Sequence, residues 1–341
     1  MRLFFAATAA SLCALAGQAA AETFAAAAVR VQNAAAVVNV IPEDRANVDV
    51  AIVPGARLPA PSVRLDNGAV VIDGGMRDRF RGCMSTLGGG VQVRLAGIGN
   101  VRRNDLPHIT IRMPRTLDLS LGGALYSTIG ASAGGSVSVS GCGDTEMAAA
   151  SGALDIDLSG SGDVDVAGVG GMLAATLNGS GSLRIARAGA DAALRLNGSG
   201  DLDVGSVAGR VDARLNGSGS LDVDAAGGDT RLALHGSGDV DAGAITGSLD
   251  AELRGSGSVT VASVTGQSAS LELSSSGSLV VRGGHVQSLS ARNSGSGGLR
   301  FGGAAETTRA HLSGSGGISI ADAGHVEQLV DTGSGSINLG R

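Results

Sequence analysis

The chain has 341 residues, of which 57 are Gly, only 6 are aromatic and none is Trp. Its core must therefore be built from small and medium aliphatic side chains, and a hydrophobic content of 43% argues against reading the Gly and Ser as disordered low complexity. No Lys occurs, which excludes Schiff-base chemistry on a lysine amine, and a net charge of −6 argues against nucleic acid or an anionic membrane as partner.

The N-terminus opens with Met1-Arg2 and an apolar run from Leu3 to Ala16, followed by Ala19-Ala20-Ala21. A charged start, a short apolar stretch and a small-residue cleavage site predict a secretory signal over residues 1–21, with Glu22 as the mature N-terminus. Cys13 is preceded by Leu12, where lipid attachment requires a small residue. Loss of Arg2 leaves 24 basic against 31 acidic residues. No later segment is apolar enough to span a bilayer.

Residues 22–115 read as a β-rich capping region. Val29/Val31, Ala36–Val40, Val48–Val53, Val63/Leu65, Val70–Ile72, Val91–Leu95 and Ile109–Met113 are alternating or β-branched runs separated by Pro, Gly, Asn and Asp turns. Gly97-Ile98-Gly99-Asn100-Val101 reads as a degenerate version of a corner that recurs later. Arg77, Arg79 and Arg81 form the one local concentration of positive charge, the composition of a solvated loop or of a site for an acidic group.

From residue 116 to 341 the chain is periodic. The central Ser of Gly-Ser-Gly recurs at 161, 180, 199, 218, 237, 256, 276, 296, 315 and 334, in steps of 19 or 20. One step back lies Cys142 and another Gly123. A fixed period of this length predicts a β-solenoid, one coil per repeat. After cleavage the chain keeps two cysteines, Cys83 and Cys142, and in an oxidising compartment an even pair predicts a disulfide. That bond would fasten the loop before Cys83 to the first coil.

Counting from the marker Ser, offsets +3 and +5 are apolar, as Leu202 and Val204 or Leu221 and Val223. Offset −3 is Leu from Leu158 to Leu273 and again at Leu312, broken by Asn293 and Asp331. Alternation with polar residues gives each coil two short strands with one face inward. The residue after each marker is Gly, which points to positive φ or to close approach of stacked backbones. Asn178, Asn197 and Asn216 form a short polar column.

The outward positions carry the candidate binding face: Asp163, Asp165, Asp201, Asp203, Asp222, Asp239 and Asp241. At offset +2, Asp alternates with Ser from 163 to 258, which spaces like charges along the stack. The five His residues share no coil offset and no metal spacing, so no metal or cofactor is expected. Gly-Ser-Gly-Asp is similar to calcium-binding Gly-Gly-x-Gly-x-Asp repeats, which have a nine-residue period that this chain lacks; a calcium-stabilised structural module is one alternative. The Gly-x-Gly strings lack the Lys and helix start of phosphate loops, and Gly-Ser-Gly recurs without an accompanying base. A polysaccharide-active enzyme is the other alternative, although one Tyr and regular ladders do not make a catalytic cleft.

The signal, the Pro114-to-Leu119 strand and the repeated Leu-x-Gly-Ser-Gly-x-Leu/Val-x-Val coils, as at Leu196–Val204 and Leu215–Val223, resemble the "putative auto-transporter adhesin, head GIN domain" family of bacterial secreted proteins. The resemblance implies a right-handed, single-stranded parallel β-helix and adhesion rather than catalysis. No functional residues carry over from it. The chain ends at Ile337–Arg341 in or just after a coil, without the membrane barrel of an auto-transporter, so periplasm and cell surface are both compatible locations. The expected function is a non-enzymatic secreted or envelope protein whose repetitive polar face meets a glycan, a cell-wall polymer or a protein. The open last coil predicts end-to-end self-association.

Overall fold

The structure, a computed structural model, describes residues 21–85 and 91–340; the expected signal, Ala21 apart, lies outside the described residues. The chain is almost entirely β, and most strands join one parallel solenoid. The strands before each corner, Leu154–Gly160, Leu173–Gly179, Ala192–Gly198, Val211–Gly217 and Thr230–Gly236, stack so that Leu177 faces Leu196 and Leu196 faces Leu215. The strands after each corner, among them Asp163–Val166, Ser182–Ala188, Asp201–Val207, Ser220–Ala226 and Asp239–Thr246, stack in the same way. A third, narrower ladder runs through Ala150, Val169, Ala188, Val207, Ala226 and Ile245. The periodicity predicts two strands per coil, and this third row of buried residues completes the cross-section.

The inward offsets fill one continuous core from Ala26 to Ala323. Leu158, Leu177, Leu196, Leu215, Leu234 and Leu253 are all fully buried, and each such Leu contributes about 1.5–3 kcal/mol of apolar burial. Asn293, which interrupts this column, is also buried. Its amide nitrogen donates to the carbonyls of Gly297 at 2.9 Å and Gly317 at 3.1 Å, and its oxygen accepts from Gly295 N–H at 3.0 Å. A side-chain amide with all three partners replaces a Leu without an unmet polar group.

At each corner the two glycines have different tasks. Gly198 has φ +153°, and a Cβ on it would lie 2.2 Å from the carbonyl oxygen of Gly179. Gly200 has ordinary φ but is buried under the preceding coil, where a Cβ would sit 2.2 Å from the Gly181 oxygen. Close stacking, not a left-handed backbone, explains the glycine after the marker.

The segment before residue 116 does more than close the end. Ala28–Glu43 runs parallel to Thr116–Ile129, with Ala35 opposite Ala124 after an irregularity around Asn33, whose φ is +50°. Ala69–Asp73 and His108–Pro114 both pair parallel with Ala28–Glu43 and form the next coil. Antiparallel strands then stop the stack: Ser62–Asp66 on Ala69–Asp73, Val48–Val53 on His108–Pro114, and Glu22–Phe24 on Val48–Val53. Ending parallel ladders with antiparallel strands shields their edges from further pairing.

Two expectations are corrected here. Gly97–Val101 is not a coil corner; it spans a hairpin turn in a separate antiparallel sheet of Phe80–Ser85, Val91–Leu95 and Gly99–Arg102. Positive φ at Gly97 and Gly99 makes that turn, a use of Gly that motif spacing does not distinguish from a corner. Gly123 does not stack on Cys142 either. It pairs with Gly141, and Ala124 takes the marker position, because this turn is one residue shorter than the repeat.

Candidate functional site

The corner strands place alternate residues outward, so offsets +2 and +4 make two parallel columns on one face. Register puts Asp144 against Asp163, then Asp163, Ser182, Asp201, Ser220, Asp239 and Ser258 in succession. The second column runs Glu146, Asp165, Arg184, Asp203, Asp222 and Asp241. The structure thus brings all seven candidate carboxylates, Asp163, Asp165, Asp201, Asp203, Asp222, Asp239 and Asp241, onto one face of one sheet. Neighbouring coils are about 4.8 Å apart.

The alternation has the predicted electrostatic effect in part. Ser258 Oγ donates to Asp239 Oδ1 at 2.5 Å, so a hydroxyl replaces the next carboxylate and bonds the one below it. In the second column Arg184 sits between Asp165 and Asp203, its Nη1 4.0 Å from the first and its Nε 3.3 Å from the second. Beyond Arg184 three carboxylates, Asp203, Asp222 and Asp241, stack consecutively. Partial burial raises the Asp203 pKa, and the Asp222 charge raises it further against the pull of Arg184. Partial burial, then Asp222, also raise Asp241. At the head of the other column, burial and the neighbouring Asp163 raise Asp144. Ser220 Oγ donates to Asp222 at 2.7 Å.

Beside the second column lies an open trough of about 780 Å³ along the solenoid axis. Its floor is the small outward residues at offset +6, Ala148, Ala167, Ala186 and Gly205, and Asp224 continues that row. Glu146, Asp165, Arg184 and Asp203 form one wall. The floor and its two end acids were not singled out from the sequence. Writing offset +6 as a column shows the small residues, but concavity beside the wall appears only in three dimensions.

The sheet before the corner carries the Asn column. Asn197 donates to Asn178 at 2.9 Å and Asn216 to Asn197 at 3.0 Å, and His235 extends the row 3.3 Å from Asn216. A smaller groove of about 500 Å³ opens over this sheet, and two of its four acids are committed to the fold. Asp191 accepts from Arg210 N–H at 2.8 Å and Asp229 from Ser248 N–H at 2.9 Å. The marker hydroxyls bond from coil to coil at Ser315 and Ser334, 3.1 Å apart. At most other corners the stacking bond is made by the marker backbone N–H, as Ser199 to Gly179 O at 2.9 Å.

Cys83 and Cys142 form the expected disulfide, with Cα atoms 6.1 Å apart. It ties the antiparallel insertion onto the marker column, where Ala35, Ala124 and Cys142 pack with Met76, Val93, Leu95, Val101 and Leu106. Tyr126 lies within this cluster, 1% exposed, with the Arg103 guanidinium 5.1 Å from its ring centroid. Burial first, then the Asp144 charge, push its phenol up to about 12. Arg81 turns back on its own loop and donates to the carbonyls of Asp78 and Phe80, the behaviour of a solvated loop arginine. Among the described residues no group of three His, Cys, Asp or Glu side chains is placed to hold a metal ion.

A family model described as "Putative auto-transporter adhesin, head GIN domain" matches three overlapping stretches, residues 92–224, 170–263 and 251–339. Among solved structures, a putative adhesin from Parabacteroides distasonis is 14% identical over 94% of this chain and 95% of its own, with a TM-score of 0.27. A second, described as a putative lipid binding protein from the same organism, is 15% identical over 96% of this chain and 98% of its own, with a TM-score of 0.30. No curated protein matches the chain.

Proposed function

The chain belongs to the "Putative auto-transporter adhesin, head GIN domain" family, and from that premise we propose a non-enzymatic secreted or envelope protein that adheres through the outer face of its corner sheet. Residues 1–21 act as the export signal in this reading. The observation that carries it is the pair of outward columns holding Asp163, Asp165, Asp201, Asp203, Asp222, Asp239 and Asp241, with Arg184 as the one intervening cation. A stacked parallel sheet holds these charges at fixed spacing, so a repeating partner meets the same contact in coil after coil. Multiplied weak contacts of this kind favour polymers and surfaces over small molecules. The partner is a glycan, a cell-wall polymer or a protein exposed on a cell.

The test is an array of glycans, cell-wall polymers and cell-surface proteins with the purified chain from Glu22, with analysis of each retained polymer for cleavage. Retention without cleavage is expected, and replacing the seven Asp by Asn in groups should weaken it stepwise. No retention of any polymer or surface protein, or retention indifferent to all seven substitutions, would refute adhesion by this face. New chain ends in the polymer would make the protein an enzyme instead.

A further inference from the structure

Within the adhesive reading, and resting on it, we propose that the axial trough binds a linear polymer of amino sugars with free, protonated amines. Three observations select this occupant. The first is charge. Glu146, Asp165, Asp203 and Asp224 line the trough against Arg184 alone, and Arg184 is already shared between Asp165 and Asp203. Among the described residues Glu146 and Asp224 are in no ion pair. They stand at opposite ends of the trough, separated by four coils, or about 19 Å.

The second is spacing. One acidic or basic side chain is offered per coil, about every 4.8 Å. A pyranose ring advances its polymer by close to one coil spacing, and a β-1,4 linkage turns successive rings over, so the amines facing the wall recur about every two coils, the separation of Asp165 from Asp203 on either side of Arg184. An extended peptide presents same-side residues about 6.6 Å apart and falls out of step within two coils. The third is the floor. Ala148, Ala167, Ala186 and Gly205 leave a shallow, mostly apolar strip with no side chain longer than a methyl group. A flat sugar ring can lie there on its C–H face while every second amine turns to the wall.

The experiment titrates the chain from Glu22 with three probes at low and moderate salt: the β-1,4-linked glucosamine hexamer, the fully N-acetylated hexamer and hexalysine. The glucosamine hexamer should bind at least tenfold more tightly than either other probe and weaken as salt rises. Glu146→Gln with Asp224→Asn should weaken it a further tenfold or more. Asp118→Asn with Glu272→Gln removes the same charge from the sheet before the corner and should leave binding unchanged. Circular dichroism on both double variants checks that the coils remain folded. Equal binding of the acetylated hexamer or hexalysine, or equal loss in the two double variants, overturns the proposal. Binding of a neutral glycan that responds to the seven Asp substitutions but not to Glu146 and Asp224 would overturn this inference and leave adhesion standing. Failure of every polymer and surface protein on the array would remove adhesion itself.

Discussion

Replacing Cys142 by Ser puts back the residue found at every later corner and removes only the bond to Cys83. Cys142 stands in a column between Ala124 and Ser161, so the smaller side chain fits without strain. The bond closes a loop with a sequence separation of 59. Loop-closure entropy for that length gives about 4 kcal/mol, the upper limit of what the crosslink adds against the unfolded chain. The insertion is otherwise held by the cluster around Val93, Leu95, Val101 and Tyr126, while the coils beyond have their own core. The loss should therefore be local. Hydrogen exchange across Phe80–Arg102 should accelerate by up to about a thousandfold, the equivalent of 4 kcal/mol. Exchange in Ala192–Gly217 should stay as it is, and reduced wild type should match Cys142→Ser. The reasoning fails if exchange in the insertion is unaltered by either treatment, or if all coils accelerate equally.

Gly200→Ala places a Cβ against the Gly181 carbonyl and should cost about 1–3 kcal/mol in urea unfolding, whereas Ser199→Ala at the exposed marker should cost under about 0.5 kcal/mol. Near-equal midpoints for the two would refute close stacking as the reason for the glycine. Acid should affect the N-terminal cap and the acidic-face coils differently. Asp144, Asp203 and Asp241 have raised pKa values, so the native state holds their protons more tightly than the unfolded chain. Their contribution to stability falls as pH rises through the range just above 3.8 and returns on acidification. Asp49 and Asp73 have lowered pKa values, through bonds from Thr23 and from Gly75 N–H respectively, and stabilise above 3.8, a contribution lost as pH falls below it. Exchange measured on lowering the pH should therefore show Val48–Val53 and Ser62–Asp66 opening before the acidic-face coils; the reverse order would contradict these assignments.

Much of the fold is legible in the one-dimensional order because a solenoid repeats its environment at a fixed interval. Leu196, Leu202 and Val204 recur with the period, and period, inward face and corner follow without any knowledge of distant contacts. The disulfide was also legible, since Cys142 breaks a Ser column and only one other cysteine lies beyond the expected signal. The acidic columns could be written down by offset, and the register brings them together as written. Where the period stops, the same reasoning loses its hold. Gly97–Val101 has the composition of a corner yet makes a hairpin, because its partners, Phe80–Ser85 and Val91–Leu95, are set by antiparallel pairing that no repeat encodes. The one-residue slip from Gly123 to Ala124 is likewise a matter of backbone pairing. Tyr126 is buried only because the insertion folds down on its column. The trough between an acidic wall and an alanine floor depends on how the coil bends at offset +6. Local order specified one coil and its stacking, for which each coil needs only its neighbours; the insertion, the bend and the trough needed the tertiary structure, because they join residues that share no period.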